Sequence, residues 1–307
     1  MTKLTLRALA AAATIATAVA AANPAAAQQG GCTRESLQTI AEKYVQAQNE
    51  GMSLYVPLGG WVNYNENFQM SSMTYGGVLA KKLKVDWNRS LLDTTTCRVF
   101  VQMIVTDPAD PYVIATYMNT SGGAPGSSGA VSNFEVVTSQ PKDWLFDASK
   151  TLYYAQRENW AVIPEARRNT REQIKAAADA YLNLFKDKSV QVPWGTPCAR
   201  LEGSAYTGKG KPDDSCNVGV PENIDMAERA YVIDEARGAV AVFLKMGPKQ
   251  RADVHVFRVE DGKIRFINTV TNCGEDQNCG FGPFADMVKR NPDMWPKLDH
   301  VPVVKQQ

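Results

Sequence analysis

The sequence has few of the features that mark nucleic-acid-binding, metal-binding and cofactor-dependent proteins. Its 33 basic and 32 acidic residues leave a formal net charge of +1, so no excess of positive charge favours a nucleic-acid partner. It contains only two histidines, His255 and His300, and no Cys-x-x-Cys pair, so the closely spaced ligands of a zinc site are absent. No Walker, Rossmann or Glu-x-x-His pattern is present either. We therefore expect no cofactor, whether nucleotide, flavin or metal.

The N-terminal residues have the composition of a secretory signal. Lys3 and Arg7 precede an apolar, alanine-rich run over residues 9–22, and residues 25–27 are three alanines of the kind that signal peptidase reads. The run is too short and too weakly apolar for a membrane span, which needs about 20 strongly apolar residues. We expect residues 1–27 to be a signal peptide and the mature protein to be secreted without membrane association. A retained N-terminal anchor is the alternative.

The cysteines agree with export. All six follow the predicted signal peptide, and an even number in an exported chain indicates disulfide bonds. Six thiols can pair in many ways, so the sequence alone does not choose among them. Short separation along the chain favours Cys198–Cys216 and Cys273–Cys279, which leaves Cys32 with Cys97.

The chain contains an internal repeat that begins with an amphipathic helix. Apolar residues recur at helical spacing over 37–45 and again over 174–185, where Thr170 and Gln173 form a possible capping box. One constant shift of the chain aligns Ser53, Val56, Pro57, Gly59 and Glu66 with Ser189, Val192, Pro193, Gly195 and Glu202.

Strand-like segments follow the helix in each repeat. The predicted hairpins of the first repeat are 98–105 with 112–119, and 132–138 with 144–151; the predicted strands of the second are 230–234, 239–246, 253–260 and 263–269. The predicted fold class is α+β, with two tandem domains over residues 32–158 and 165–272. An irregular C-terminal tail is expected over 273–307.

A helix followed by a curved antiparallel sheet, occurring twice, resembles the nuclear transport factor 2-like superfamily, also called SnoaL-like. Residues 192–203 (VPWGTPCARLEG) and 255–260 (HVFRVE) are similar to an uncharacterised secreted group common in ascomycete fungi. The resemblance covers roughly residues 32 to 272. It implies two cone-like domains, each a curved antiparallel sheet wrapped around its N-terminal helix to leave an apolar pocket. Members of the superfamily include cofactor-free isomerases, dehydratases, cyclases, epoxide hydrolases and lyases of aromatic compounds, and others only bind ligands or proteins.

His255 is the most informative candidate catalytic residue. The period of two along a strand places Asp253 and His255 on one face, where the carboxylate can orient the imidazole or raise its pKa for acid–base catalysis. The alternative is a buried histidine bonded to a backbone carbonyl. Aligning the final predicted hairpins through Phe146 and Phe266 places Glu135 at the equivalent position of the first repeat, so Glu135 is a candidate substrate-binding residue.

Glu66 and Glu202 are further catalytic candidates, because they occupy equivalent positions in the repeat. A carboxyl near aromatic rings loses hydration, so its pKa rises and it can donate a proton near neutral pH. Alternatively, Arg200 holds Glu202 in a salt bridge, or the glutamate caps a turn.

Four aromatic residues near these acids are candidate substrate-binding residues, since they can offer flat faces to a ring: Trp61, Tyr64, Trp194 and Tyr206. Ordinary core packing is the alternative for each. Together with the resemblance, these residues predict a secreted, cofactor-independent enzyme that cleaves a carbon–oxygen bond by general acid–base catalysis. The expected substrate is a small aromatic molecule, such as a lignin-derived ether, and the reaction is a hydrolysis or an elimination. The alternatives are an isomerase or dehydratase of a small organic molecule, and a secreted ligand-binding protein without activity. It is also open whether only the second repeat is active.

Overall fold

The computed structural model describes residues 32–121 and 129–282, together with Met1, Asp286 and Lys289. The predicted signal peptide, apart from its first residue, lies outside the described residues, and so does most of the predicted tail after residue 282.

The first half of the structure (residues 34–155) combines one long helix with a six-stranded sheet. The elements are helix α1 (Arg34–Glu50) and strands β1 (Leu58–Glu66), β2 (Gln69–Met70), β3 (Trp87–Asp93), β4 (Arg98–Val105), β5 (Tyr112–Thr120) and β6 (Val131–Ser139), followed by helix α2 (Ala148–Ala155). Thr33 caps α1 by accepting a hydrogen bond from the Ser36 amide at 3.1 Å. Gly51 ends the helix in the left-handed region, with φ of 63°.

The second half (residues 171–271) repeats this arrangement. It contains helix α3 (Arg171–Asn183) and strands β7 (Trp194–Glu202), β8 (Ala205–Tyr206), β9 (Met226–Asp234), β10 (Ala239–Met246), β11 (Arg251–Glu260) and β12 (Lys263–Thr271). The capping box of Thr170 and Gln173 at the start of α3 is confirmed. The strand orders are β2-β1-β6-β5-β4-β3 and β8-β7-β12-β11-β10-β9, so the two sheets have the same topology.

The sheets are mixed, so the prediction of purely antiparallel sheets was wrong. In each sheet the first long strand lies parallel to the last one, β1 to β6 and β7 to β12. Neither β1 nor β7 was predicted, since glycines and a proline interrupt their alternation. The predicted strand over 144–151 was also wrong. Asp147 instead accepts a hydrogen bond from the Lys150 amide at 3.0 Å and starts helix α2. The β4–β5 hairpin and strands β9 to β12 are confirmed.

The two sheets face each other across a shared core, and the long helices cover their other faces. The shared core contains side chains from both sheets and from α2, among them Phe100, Phe243 and Phe266. Helix α1 buries Leu37, Ile40 and Tyr44 on the first sheet, and α3 buries its own apolar side on the second. Full burial of a side chain of this size contributes about 1.5–3 kcal/mol to the free energy of folding, so these apolar faces provide much of the stability with which each helix packs on its sheet.

Reciprocal ion pairs join the two halves. Arg34, the first residue of α1, binds Asp234 at the end of β9, with N–O distances of 2.8 and 2.9 Å. Arg171, the first residue of α3, binds Asp93 at the end of β3, at 2.8 and 2.6 Å. Each aspartate also accepts a backbone amide from the opposite half. Equivalent residues thus contact each other in both directions, which is the pattern of an isologous interface.

Three disulfide bonds are formed, Cys32–Cys97, Cys198–Cys216 and Cys273–Cys279, and they confirm the pairing that chain separation favours. Such bonds are typical of proteins that fold in an oxidising compartment. Among the described residues, no helix combines the length and the apolar composition that crossing a membrane requires.

Candidate active site

A cavity of about 370 Å³ lies in the second half, within the volume range of small-molecule sites. Its wall is formed by helix α3, strands β7, β11 and β12, and the loop that precedes β9. Met226 of β9 and Met246 of β10 add to it, and so do Trp144 and Phe281 from outside the second half. Most of the wall is apolar or aromatic, and few polar side chains reach it: Tyr181, Arg200, Glu202, Asp253, His255 and Thr271. A mostly apolar cavity with a few convergent polar groups is the usual form of an active or binding site.

Asp253 and His255 form a buried pair on strand β11. His255 Nδ1 lies 2.7 Å from Asp253 Oδ2, and Thr271 donates a hydrogen bond to Asp253 Oδ1 at 2.5 Å. Because an ionised carboxylate only accepts hydrogen bonds, it fixes the neutral imidazole with its proton on Nδ1. His255 Nε2 is then an acceptor, and no described residue offers it a hydrogen bond.

The surroundings of His255 strengthen it as a base. Burial lowers the pKa of the imidazole, but the charge of Asp253 and the hydrogen bond to it outweigh burial and raise the pKa above its ordinary value of 6.5. The negative charge of Glu202 acts in the same direction. The rings of Tyr181 and Phe257 pack on the imidazole, with centroids at 5.6 and 6.0 Å, and so restrict its rotation.

Arg200 and Glu202 form a second charged pair at the cavity, on strand β7. Arg200 Nε lies 3.4 Å from Glu202 Oε1, and the Arg200 side chain is 2 % exposed. The other guanidinium nitrogens donate to the Tyr181 hydroxyl at 3.1 Å and to the Val218 carbonyl at 2.6 Å. Thr269 donates to the second oxygen of Glu202 at 3.3 Å. The ion pair between Arg200 and Glu202, considered in the sequence as an alternative to catalysis, is therefore present.

The first half lacks the acid–base pair at the equivalent position. Strand pairing aligns Glu66 with Val136 and Thr116, and Glu202 with Thr269 and His255. Thr116 is thus the counterpart of His255, and by the same register Ile114 is the counterpart of Asp253. The alignment that made Glu135 this counterpart was wrong, because Phe146 does not lie on a strand.

Core residues fill the equivalent region of the first half. Tyr44 and Thr116 share a hydrogen bond of 2.8 Å between their hydroxyls. Val78 and Leu79 are buried in the core beneath helix α1. The Val78 amide donates to Glu66 Oε2 at 2.9 Å, and the Tyr64 hydroxyl donates to the same oxygen at 3.3 Å. Burial raises the pKa of Glu66 against these hydrogen bonds.

The structure therefore separates the candidate acids. Asp253, His255 and Glu202 share one cavity, whereas Glu66 lies in the first half and borders a different, polar cleft of about 530 Å³. Glu135 is buried on β6 and accepts hydrogen bonds from the Asn65 side chain at 3.1 Å and from the Phe68 amide at 3.2 Å. Burial is the main influence on Glu135 and raises its pKa.

The four aromatic candidates do not line the cavity of the second half. Trp61 is 79 % exposed at the surface of the first sheet. Tyr64 is the buried hydrogen-bonding partner of Glu66. Trp194 packs on Tyr181 with ring centroids 5.7 Å apart, and Tyr206 stacks on Tyr154 at 4.3 Å in the core between the sheets.

Several cavity residues were missed because their position depends on tertiary structure. Thr271 is recognisable only once β11 and β12 are paired in register. Trp144 comes from the turn after β6 of the first half, and Phe281 follows the disulfide loop at the C-terminal end of the second sheet. Neither position carries a local sequence signal for a binding site.

Comparison with known proteins gives one match. A family model described as "Domain of unknown function (DUF8021)" matches residues 167–271, which comprise helix α3 and the sheet of the second half. Comparisons with curated proteins and with solved structures gave no match. The matched segment includes Arg200, Glu202, Asp253 and His255, whereas Trp144 and Phe281 lie outside it.

Proposed function

We propose that this chain is a cofactor-independent enzyme in which the cavity of the second half performs general acid–base catalysis. The proposed reaction is cleavage of a carbon–oxygen bond in a small aromatic molecule. The observation that carries the proposal is the buried Asp253–His255 pair at the cavity wall, with Nε2 unpaired among the described residues. Histidine is the side chain that most often acts as a general acid or base in enzymes, and a neighbouring carboxylate tunes its pKa for that role.

The proposal includes the nuclear transport factor 2-like fold for both halves. Each half has one long N-terminal helix packed on one face of a six-stranded sheet. Register shifts along β10, β11 and β12 interrupt the second sheet, and such irregularities bend strands. The cavity lies between the helix and the sheet, where a cone would enclose it.

The proposed reaction is an elimination in which His255 carries the proton. Nε2 removes a proton from the carbon adjacent to the carbon that bears the leaving oxygen. The electrons of that C–H bond form a double bond as the C–O bond breaks, and the imidazolium then protonates the leaving oxygen. Asp253 stabilises the imidazolium throughout. Because Glu202 lies in an ion pair with Arg200, we assign both proton transfers to His255, and Glu202 adds stabilisation of the positive ring.

The test compares turnover with binding on a panel of aryl alkyl ethers that carry a hydrogen on the carbon next to the alkyl carbon bonded to oxygen, because the elimination requires that hydrogen. Product formation is followed by mass spectrometry for the wild type, for His255→Gln and for Glu202→Gln. We expect His255→Gln to lower kcat by about 10²–10⁴ while binding is retained, since general acid–base catalysis contributes that factor. Glu50→Gln is the matched control for the glutamate change, because Glu50 makes a surface ion pair with Lys82 far from the cavity.

The same experiment distinguishes the alternative functions. Undiminished product formation in His255→Gln would refute the catalytic assignment. Ether binding without any product in the wild type would favour a secreted ligand-binding protein. Rearranged or dehydrated products of other small molecules, still dependent on His255, would favour an isomerase or dehydratase.

We also propose that the protein is secreted after removal of residues 1–27. The three disulfides support this proposal, because such bonds form in oxidising compartments. Expression of the full chain in a secreting host, followed by intact-mass analysis of the medium, should give a protein that begins at Gln28 and holds no free thiol. An intact N-terminus would contradict the assignment.

A further inference from the structure

Two rings of the cavity wall come from outside the segment that contains the acid–base residues. Trp144 belongs to the turn between β6 and α2, and Phe281 follows the loop closed by Cys273–Cys279. Their ring centroids are 4.8 Å apart with an interplanar angle of 60°, so the two rings pack edge to face and leave no gap between them. One compact aromatic surface therefore forms this part of the wall.

Hydrogen bonds hold both segments in place. The Asn278 amide donates to the Lys142 carbonyl at 2.7 Å, and the Asn278 side chain accepts from the Leu145 amide at 3.1 Å. The Cys273 amide donates to Asp143 Oδ1 at 2.8 Å. Lys142 and Leu145 have positive φ values of 146° and 49°, which non-glycine residues adopt only where their surroundings impose them. The aromatic surface is therefore built by fixed contacts between the two segments.

While His255 is neutral, the side chains that line the cavity offer no positive charge for an anion. Arg200 is neutralised by Glu202, and its other nitrogens are engaged by the hydroxyl and carbonyl described above. With a neutral His255, Asp253 adds one uncompensated negative charge beside the cavity. A carboxylate ligand would lose its hydration and meet a negative potential, so its transfer into this cavity is unfavourable.

We propose that the cavity selects an uncharged molecule with a planar ring, and that Trp144 and Phe281 are the residues that determine this specificity. This inference rests on the proposed function only in taking the cavity as the substrate site. The ring of the substrate packs on the aromatic surface while its reacting carbon lies at His255. The first half and the C-terminal segment thereby contribute to a site whose catalytic residues all belong to the second half.

Binding of three matched probes tests the inference on the full-length protein. The probes are benzamide, benzoate and cyclohexanecarboxamide, measured by calorimetry at about pH 9. This pH is well above the ordinary histidine pKa of about 6.5, so it favours the neutral form of His255, and benzoate is ionised there. A fragment of this size that fits its site binds with a Kd on the order of 10 mM or tighter. We expect benzamide to bind at least about tenfold more tightly than benzoate, because of the negative charge. We also expect it to bind several-fold more tightly than the saturated amide, because of the aromatic surface.

Variants then locate the preference for a planar ring. Trp144→Leu and Phe281→Leu should each reduce the ratio of benzamide to cyclohexanecarboxamide affinity towards one, while Tyr75→Leu, at an 87 % exposed position, should not. Circular dichroism verifies that each variant folds, and the charge preference is measured on the wild type, so it does not depend on any variant.

Several results would overturn the inference: no binding of benzamide, benzoate bound as tightly as benzamide, or a ring preference unaffected by both variants. His255→Gln separates this inference from the proposed function. Loss of turnover with the ring preference retained supports both proposals. A preserved ring preference in a protein that never forms product refutes the catalytic function and leaves the binding inference standing.

Discussion

Replacement of Asp253 by Asn should reverse the direction in which the protein shifts the pKa of His255. In the wild type the carboxylate outweighs burial and raises the imidazole pKa above 6.5. The amide keeps the size of the side chain and can still accept the Thr271 hydrogen bond, but it carries no charge. Burial then dominates, and the pKa of His255 falls below its ordinary value.

The structure sets the scale of the effect. The imidazole nitrogen and the carboxylate oxygen are 2.7 Å apart and both side chains are buried. Charges centred about 4 Å apart interact by about 4 kcal/mol at an effective dielectric constant of about 20, which is an upper limit for the lost stabilisation of the imidazolium. If the transition state carries that imidazolium, the rate falls by up to roughly 10³.

Histidine NMR measures the change without a substrate. The sequence has only two histidines, so the Cε1–H signals of a ¹³C-labelled sample are few, and His255→Gln identifies the relevant one. The signal should titrate above pH 6.5 in the wild type and below it in Asp253→Asn. Thr271→Val is the matched control, because it removes a hydrogen bond and keeps the charge, so the pKa of His255 should stay raised.

The free energy of unfolding depends on pH through the same titration of His255. Because the folded pKa of His255 is raised, its stabilising contribution is complete below about pH 6.5, the unfolded value, and is lost as the pH rises through the folded value. In Asp253→Asn the sign inverts: the contribution of His255 to stability is complete above the unfolded value of about 6.5 and is lost as the pH falls through the lower folded value. If the His255 signal of Asp253→Asn has a titration midpoint at or above that of the wild type, the reasoning is wrong.

Three further predictions concern stability in urea. Asp93→Asn removes the charge that pairs with Arg171 and leaves this guanidinium, which is only 21 % exposed, without its partner, so it should cost about 3–5 kcal/mol at neutral pH. Although burial opposes it, the pair with Arg171 lowers the pKa of Asp93, so this difference is present above about pH 4 and fades as the pH falls through the folded value. Leu79→Ala should cost about 2–5 kcal/mol, since Leu79 is fully buried. Replacing Cys32 and Cys97 by Ala should cost about 4 kcal/mol, because their bond closes a loop with a sequence separation of 65.

Each of these predictions has an internal comparison. Asp234→Asn should also be destabilising, but by somewhat less, because Arg34 is 35 % exposed and Arg171 only 21 %. A cost below about 1 kcal/mol for either variant would show that its ion pair contributes no more than an exposed surface pair. Removal of Cys273–Cys279, with a separation of only 6, should cost less than removal of Cys32–Cys97, at about 2 kcal/mol. An equal cost for both bonds would contradict the entropic account. Retention of full stability in Leu79→Ala would show that the first-half core is not close-packed.

The sequence predicted most elements whose signals are local, although it missed β3, which forms a hairpin with β4. The helices α1 and α3 follow from apolar spacing, and α3 also from the capping box at Thr170. The strands β9 to β12 follow from turn residues between apolar runs. Strands β1 and β7 were missed because each pairs in parallel with a strand far along the chain. Turn residues indicate antiparallel hairpins, but no such residues indicate a parallel pairing. The start of helix α2 was mistaken for part of a strand over 144–151, because the aromatic residues Trp144 and Phe146 favour strands and the cap at Asp147 was not recognised.

The candidate site was predictable in part for the same reason. Asp253 and His255 lie two residues apart on one strand, so their contact follows from strand geometry. That Glu202 and not Glu66 joins them follows from the parallel pairing of β7 with β12, which brings together strands far apart in the chain. The wall residues supplied by other segments can be found only from the assembled fold.

The reciprocal ion pairs of Arg34 with Asp234 and of Arg171 with Asp93 bear on how the sequences of the two halves can diverge. Two identical polypeptides carrying this arginine and this aspartate would assemble about a two-fold axis through the same contacts. Joining them end to end converts a symmetric dimer into a single molecule and removes the requirement that both copies stay alike. One copy can then keep an open cavity with its histidine–aspartate pair, while the other fills the equivalent region with core residues and contributes to stability.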